Sequence, residues 1–377
     1  MPNKVIPLSS PDITDAERDA VLGVMQGNNL ALGPKGREFE EQIAQYAGTK
    51  YAVAVNSGTS GLHLIIKALG ISEGDEVITT PFSFVASANC ILYEGSKPVF
   101  VDIDPQTLNI DPKKIEEAIT ENTKAILAVD VFGYPAEWKK ILAIAQKHNL
   151  RVIEDSCEAL GAEYYGKKCG SFGDAGVFAF YPNKQITTGE GGVLVTDNIE
   201  IADLCRSMSN QGREAKNGKW LEHIRLGYNY RMSDINASLG VAQLSRIDDI
   251  LRRRAIAAAR YKDLLKGLPE IDLPFADNYY NKRSWFVYVI TLSNKYSRQD
   301  RDSIINAMAE KDIQCASYFQ CIHLQPFYRR EFCYREGLFP VAESISDRTI
   351  ALPFFSNIKE DEIQRVAEQF KKTIIGI

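Results

Sequence analysis

Residues 51–70 read YAVAVNSGTSGLHLIIKALG. YAVAV has the small and β-branched apolar character of a strand. The polar cluster NSGTS interrupts it. Beyond the cluster, Leu62, Ile65, Ile66 and Leu69 recur at the spacing of one helical face, and Gly70 stops the run. A strand, a tight polar turn and a helix in that order open a β-α-β unit, and the pattern then repeats. EVITT (76–80) is the next strand, a helix runs through FVASANCILY (84–93), and KPVFVDI (97–103) is a third strand. AILAVDVFG (125–133) precedes Pro135, which suits the first turn of a helix carrying Trp138, Ile141, Leu142 and Ala145 on one face. That helix leads to RVIEDS (151–156), a short strand ending in acid. Such repetition predicts an α/β fold, a largely parallel sheet flanked by helices on both faces. In sheets of this kind ligands collect beyond the carboxyl ends of the strands.

The bulk properties narrow the class. The chain has 377 residues, 45% hydrophobic and 25% charged, with a formal net charge of −5. A chain of this length buries a sizeable core and is expected to divide in two. From Ser233 to about Leu265 the text is helical, with Ile247, Ile250, Leu251, Ala258, Tyr261 and Leu265 on one face and the arginines of LRRR elsewhere. SWFVYVITL (284–292) then reads as a strand, with helices near 299–311 and 359–374, an α+β pattern. The expected division is 1–245 and 246–377, with the N-terminal segment free to contribute elsewhere. No basic stripe suits nucleic acid, and no apolar run reaches the ~18 residues of a membrane span. The opening MPNKVIPLSSPD lacks the apolar core of a signal peptide. Seven cysteines without CxxC spacing point to reduced thiols in a cytoplasmic protein. No transition metal is indicated.

Three stretches carry chemistry. NSGTSGLHL (56–64) sets small hydroxyls and free backbone N–H groups at a helix start, a cradle for phosphate, although it is also what an ordinary capped turn looks like. It is neither a Walker loop nor GxGxxG. His63 in this stretch suits a structural role as well as a functional one. VIEDSCEALGA (152–162) places Asp155 at the mouth of a strand, where a carboxylate either caps the next helix or holds a cationic partner. YPNKQITTGEGG (181–192) puts Lys184 between two apolar runs, GVFAFY and GVLVT, where burial favours the free amine a nucleophile needs. The glycines that follow would let backbone approach a flat ligand. A phosphate site, a buried acid and a sheltered amine together match the demands of pyridoxal 5′-phosphate. Phe84 in TTPFSFVAS is a candidate to stack on its ring, and equally a candidate for the core.

Across nearly its whole length the chain resembles the DegT/StrS-type nucleotide-sugar aminotransferases. The resemblance runs from LALGPKGREFE through NSGTSGLHL, TTPFSFVASAN, VIEDSCEALGA, FGDAGVFAFYPNKQITTGEGGVLVT, LGYNYRMSDINASLG and IHLQPFYRR to PVAESISDRTIALPFF. It implies the aspartate-aminotransferase-like fold of type I pyridoxal-phosphate enzymes, with a smaller α+β C-terminal domain, assembled as a homodimer. It also implies roles. Lys184 would form the Schiff base and carry protons. Asp155 would bind the pyridinium nitrogen. Gly58 and Thr59 would hold the phosphate, Phe84 would stack on the ring, and Asn229 would reach the phosphate of the neighbouring subunit. Glu158 would face the ring hydroxyl where many members have Gln, a feature resembling the GDP-perosamine synthase branch. An acid there must be protonated or paired. Ala179 stands where many members place a serine on the phosphate. His323 in CIHLQPFY suits a sugar contact or a packed core position, and GNNLALG (27–33) is a further candidate for lining the sugar site.

The resemblance implies transfer of the amino group of L-glutamate to a 4-keto-6-deoxy nucleotide sugar, for polysaccharide or related glycan synthesis. TTGEGG favours C4 over C3 by family likeness alone. Alternatives within the family are a sugar 3-aminotransferase or a keto-inositol aminotransferase. An alternative of another class is a non-catalytic regulator on the same fold, against which the intact Lys184 and Asp155 argue. A nicotinamide enzyme lacks its glycine pattern.

Overall fold

The computed structural model describes residues 5–214 and 222–376. Seven strands form the central sheet: β1 (Tyr51–Val55), β2 (Glu76–Thr79), β3 (Lys97–Phe100), β4 (Thr123–Val129), β5 (Arg151–Asp155), β6 (Ala175–Ala179) and β7 (Gly192–Thr196). Their spatial order is β1-β7-β6-β5-β4-β2-β3. Strands β2 to β6 pair in parallel, and β7 alone runs antiparallel to both of its neighbours, β1 and β6. The exception follows from the connection. Residues 180–191 join β6 to β7 without a crossover helix, and a direct return of that kind brings a strand back antiparallel.

The strand interiors are apolar because both faces are covered. Val77, Leu127 and Ile153 pack with Leu64 and Ile65 of the helix Gly58–Ala68, whereas Ile78, Ile126 and Val152 pack with Trp138 and Ile141 on the opposite side. Each such side chain contributes roughly 1.5–3 kcal/mol on burial. The helix Trp138–His148 begins later than Pro135 suggests. Asp130 accounts for the delay: its Oδ1 accepts from the Ala136 amide at 2.8 Å and from Trp138 Nε1 at 3.0 Å, holding the approach as a turn.

A second sheet of three antiparallel strands (Ile271–Asp272, Tyr288–Leu292 and Thr349–Leu352) packs with the helices Arg298–Ala309 and Glu360–Ile375 around Ile290, Met308, Ile350 and Phe370. The strand expected over 284–292 is confined to Tyr288–Leu292, because Ser284 is drawn into bonds with Leu160 and Gln185. The helical stretch from Ser233 resolves into two helices, Asp234–Leu244 and Ile247–Leu265. The second spans both cores: Ile247 and Ile250 pack with Phe39 and Phe180, and Ala257, Tyr261 and Leu265 with the C-terminal cluster. Ile6 joins that cluster too, its amide bonded to the Asp312 carbonyl and its carbonyl to the Gln314 amide. Among the described residues no helix is long and apolar enough to cross a membrane.

Candidate active site

The carboxyl ends of β1, β4, β5 and β6 lie along one edge of the sheet, and the segments leaving them build the site. From β1 the chain passes Asn56 and Ser57 into the helix Gly58–Ala68. Ser57 caps that helix, its hydroxyl accepting from the Ser60 amide at 3.1 Å. The helix start, with its N–H groups and positive dipole end, has the form of the anion cradle expected from NSGTSGLHL. Gly58 is buried and Thr59 half-buried there. A Cβ added at Gly58 would lie 2.8 Å from both the Ala179 methyl and Cys157 Sγ. Only glycine lets the helix start sit this close to the ends of β5 and β6.

From β6 the chain enters the loop that carries Lys184, and this loop is held at many points. Thr187 Oγ1 donates to the Phe180 carbonyl at 3.0 Å, and Asn236 Nδ2 to the Thr188 carbonyl at 2.5 Å. Gln185 Nε2 donates to the Glu158 carbonyl at 2.6 Å and to Ser284 Oγ at 3.0 Å. Arg254 Nη2 donates to the carbonyls of Asn183 and Lys184 at 3.4 and 3.2 Å. The glycines beyond the lysine serve the chain itself. A Cβ at Gly192 would meet the Ser57 carbonyl at 2.5 Å, and one at Gly191 would meet Thr188 Oγ1 at 2.2 Å, while Gly189 turns at φ +80°. Of these, Gly192 permits the close approach of β7 to the helix start.

The reactive groups meet at the centre of this edge. The Lys184 side chain is 13% exposed, with Nζ 3.8 Å from Glu158 Oε1 and 4.0 Å from the centre of the Phe286 ring. Asp155, 4% exposed at the end of β5, accepts from Ser87 Oγ at 2.7 Å and from the Cys157 amide at 3.2 Å. Ser87 in turn contacts Ser83 Oγ at 2.9 Å. These donors fix the orientation of the carboxylate. Burial pushes the Glu158 carboxyl above the usual range, and the charge of Lys184 together with the Phe132 amide, 2.8 Å away, pulls against it. The partner that an acid at this position needs is that lysine. Burial also drives the Cys157 thiol up, with Asp155 adding to the effect, so this cysteine is no thiolate nucleophile.

The other expected residues fall at different distances from this centre. Phe84 is 61% exposed, whereas Phe82 two residues earlier is fully buried, so of the two readings of Phe84 the core one is excluded. Phe84 borders a cleft of about 490 Å³ lined also by Ser83, Asn89, Phe319, Gln325 and Phe327. Asn229 is exposed next to the cradle, its carbonyl accepting from Asn56 Nδ2 at 3.4 Å. His323 has no exposed surface; its Nε2 meets Glu343 Oε1 at 3.0 Å and its ring packs against Phe339. The loop at 27–33 is pinned by Asp234, which accepts from the Gly33 amide at 3.0 Å, leaving Leu30 and Leu32 exposed.

Sequence reasoning missed Ser87, Phe286, Gln185 and Arg254. For Arg254 a signal was present. The RRR run suggests a solvated face, yet Arg254 is 2% exposed, and burial brings its guanidinium down to about 10. Its spacing from Ile250, Ala258 and Tyr261 places it on the apolar stripe. Ser87 and Phe286 lie on segments far from Lys184 in the chain and give no local signal. Beneath the site, Asp130, Glu154 and Cys169 have the ligand types of a metal centre. The carboxylates there are already engaged by amide donors of Ala136, Gly170 and Phe172 and by the shared Ser156 hydroxyl. Burial raises both the Asp130 and the Glu154 carboxyls, the latter also through the charge of Asp130.

This donor set suits pyridoxal phosphate: a glycine-cleared helix start for an anion, an oriented buried carboxylate for a ring N–H, an exposed aromatic face and a sheltered amine. The sequence profile of the DegT/DnrJ/EryC1/StrS aminotransferase family matches residues 11–371. The spore coat polysaccharide biosynthesis protein SpsC of Bacillus subtilis is 38% identical, with 99% of this chain and 98% of that protein covered. The GDP-perosamine synthase of Escherichia coli O157:H7 is 36% identical, with 98% of each chain covered. Among solved structures, the putative sugar aminotransferase Spr1654 of Streptococcus pneumoniae in its PMP form superposes with a TM-score of 0.94 at 28% identity, covering 98% of this chain and 99% of that one.

Proposed function

This chain belongs to the DegT/DnrJ/EryC1/StrS aminotransferase family and is a pyridoxal-phosphate-dependent sugar aminotransferase; from that premise we propose that it moves the amino group of L-glutamate onto C4 of a 4-keto-6-deoxy nucleotide sugar. The product is an amino sugar destined for a surface polysaccharide or related glycan. The observation that carries the assignment of roles is the convergence of Lys184, Glu158 and Asp155 on one sheet edge, with Lys184 Nζ 3.8 Å from Glu158 Oε1. Glu158 supports the C4 branch, since it occupies the position at which the chain resembles GDP-perosamine synthases.

The cofactor, when bound, supplies an aldehyde that accepts and returns an amino group and a ring that takes up the electron pair left on the substrate carbon. The protein does the rest. Lys184 would hold the cofactor through its aldehyde, and its amine would carry a proton to and from the substrate carbon. Its loop is clamped through Arg254, Gln185 and Asn236, so the amine returns to the same place in each half-reaction. Asp155, oriented by Ser87, accepts the ring N–H and keeps the ring positive. Glu158 holds a proton beside the ring hydroxyl more readily than an exposed carboxylate would, because burial raises its pKa. Gly58 and Thr59 would receive the phosphate and Phe84 would offer a ring face, whereas His323, with no exposed surface, is a packed core residue and not a sugar contact. Two copies complete the site, each lending Asn229 to the phosphate of its partner. The exposed Leu30, Leu32 and Leu226 support such an association.

The test is direct. Purified enzyme treated with borohydride should carry the reduced cofactor on Lys184 by peptide mapping, and Lys184→Ala should abolish turnover while keeping the fold. An adduct on another side chain, or normal steady-state turnover by Lys184→Ala, overturns the assignment. A panel of keto-sugar nucleotides with glutamate as donor, followed by NMR location of the new nitrogen, decides between C4 and C3.

A further inference from the structure

His63 takes no part in the chemistry above, yet it is 3% exposed and bonded on both ring nitrogens. It lies on the cradle helix Gly58–Ala68, and neither of its partners, Tyr230 and Glu94, is among the groups that meet at Lys184. Its Nε2 meets Glu94 Oε1 at 2.8 Å, and its Nδ1 meets the Tyr230 hydroxyl at 3.0 Å. Glu94 is further bound by Lys67 Nζ at 2.6 Å and by the Tyr228 hydroxyl at 3.2 Å. The rings of Tyr93 and Tyr228 close on the imidazole with centroids 5.1 and 4.8 Å away, and Tyr228 and Tyr230 stack at 4.9 Å. Burial pushes the Glu94 carboxyl up, but Lys67 and His63 outweigh it and hold the group below its usual range, so it is a carboxylate. Burial favours neutral His63. The network then has one consistent assignment: Nε2–H donates to Glu94, and Nδ1 accepts from the Tyr230 hydroxyl.

The other end of Tyr230 reaches the cradle. The Asn56 amide donates to the Tyr230 carbonyl at 2.8 Å, and Asn56 Nδ2 to the neighbouring Asn229 carbonyl at 3.4 Å. Arg231 forms a bridge with Val55, the last residue of β1. Asn56 Oδ1 accepts from Ser60 Oγ at 2.6 Å, and Ser60 is tied by its amide to Ser57. The contacts therefore close a loop. One arm leaves the cradle helix through His63, and the other returns to its first turn through Asn56.

We infer that His63 is a positioning residue for the cofactor phosphate, bracing residues 56–59 through Tyr230 so that the N–H groups of Gly58 and Thr59 converge on one anion. The helix start alone leaves the turn before it free to shift; the brace fixes it against Tyr228–Arg231. This rests on the reading that the phosphate of the bound cofactor occupies the start of the helix Gly58–Ala68.

The test compares pyridoxal 5′-phosphate with pyridoxal, which has the same aldehyde and ring without the phosphate. Both are titrated into the apoenzyme by absorbance for wild type, Tyr230→Phe, His63→Gln and the double variant. Each single variant should bind pyridoxal phosphate about three- to tenfold more weakly, the worth of a hydrogen bond or two, with pyridoxal unchanged within about twofold. The double variant should be no weaker than the worse single one, because both break the same link. Equal weakening toward the two ligands indicates general loosening and overturns the inference, as does unchanged preference for the phosphorylated form. Should His63→Gln fail to fold, Tyr230→Phe, which removes one hydroxyl, decides the question by the same two titrations. A wild type that binds both ligands equally would instead sink the phosphate-cradle reading itself.

Discussion

Gly58→Ala tests the geometry of the cradle most sharply. The added methyl would lie 2.8 Å from the Ala179 methyl and from Cys157 Sγ. Carbon atoms in ordinary contact stand about 3.5–4.0 Å apart, so the helix start must retreat by about 1 Å or its neighbours must move. Neither neighbour yields easily. Ala179 is paired with Gly192 in the sheet, and Cys157 follows β5 in a turn whose amide is bonded to Asp155. Overpacking of this kind costs about 1–3 kcal/mol, and alanine recovers up to ~1 kcal/mol of it through helix propensity. Apo-enzyme stability should therefore fall modestly, by about 1–2 kcal/mol. The effect on the cofactor should be larger. A retreat of about 1 Å stretches hydrogen bonds past their useful range, and loss of one charge-assisted bond of about 1.5–3 kcal/mol weakens binding roughly ten- to hundredfold. Thermal unfolding of the apoenzyme and absorbance titration with pyridoxal phosphate read the two effects separately. Adding Ala179→Gly and Cys157→Ala removes both obstructing atoms and should restore affinity to within about threefold. A Gly58→Ala enzyme with wild-type affinity, or a triple variant as weak as the single one, refutes the reasoning.

Asp155→Asn should retain the fold, since the amide oxygen can take the place of Oδ1 and keep the Cys157 amide while the new NH2 faces the Ser87 hydroxyl, which can accept; turnover should fall on the order of a hundredfold as the charge facing the ring is lost, and near-normal kcat would count against the assignment. In Glu158→Gln the Phe132 amide keeps an acceptor but no carboxyl titrates. Any limb of the kcat/KM profile due to Glu158, displaced upward by burial, should vanish, and its persistence would assign that limb to another group. Asp130 carries a folded-state pKa raised to about 6, so the stability it contributes is present below the unfolded value near 4 and is lost as pH rises through about 6. Asp130→Asn, which keeps an oxygen for Ala136 and Trp138, should flatten the dependence of the melting temperature on pH across that window. An unchanged slope would show that Asp130 does not titrate in that window.

Much of this molecule is written locally. Strands covered on both faces need continuous apolar runs, and helices packed on them need one apolar stripe, so β1, the cradle helix and the alternating units after them follow from residue order alone. Lys184 and Asp155 are legible for a related reason: a charged group placed between core strands must have a partner or a task. Their convergence is not local. Ser87 on Asp155, Phe286 under Lys184 and Arg254 on the lysine loop arrive from segments whose own residues could as well serve packing or solvation. Phe82 and Phe84 are the clearest pair. Both are phenylalanines in one short run, and only the packing of Phe82 against Phe132 and Phe319, beside the cleft that Phe84 borders, makes the first core and the second an open ring face. His63 likewise became part of a brace only when Glu94 and Tyr230 came to its two nitrogens. Periodicity decides which face of an element is buried, because it is a property of consecutive residues; what meets that face is decided by the sheet order, in which β7 returns between β1 and β6 and draws cradle, acid and amine onto one edge.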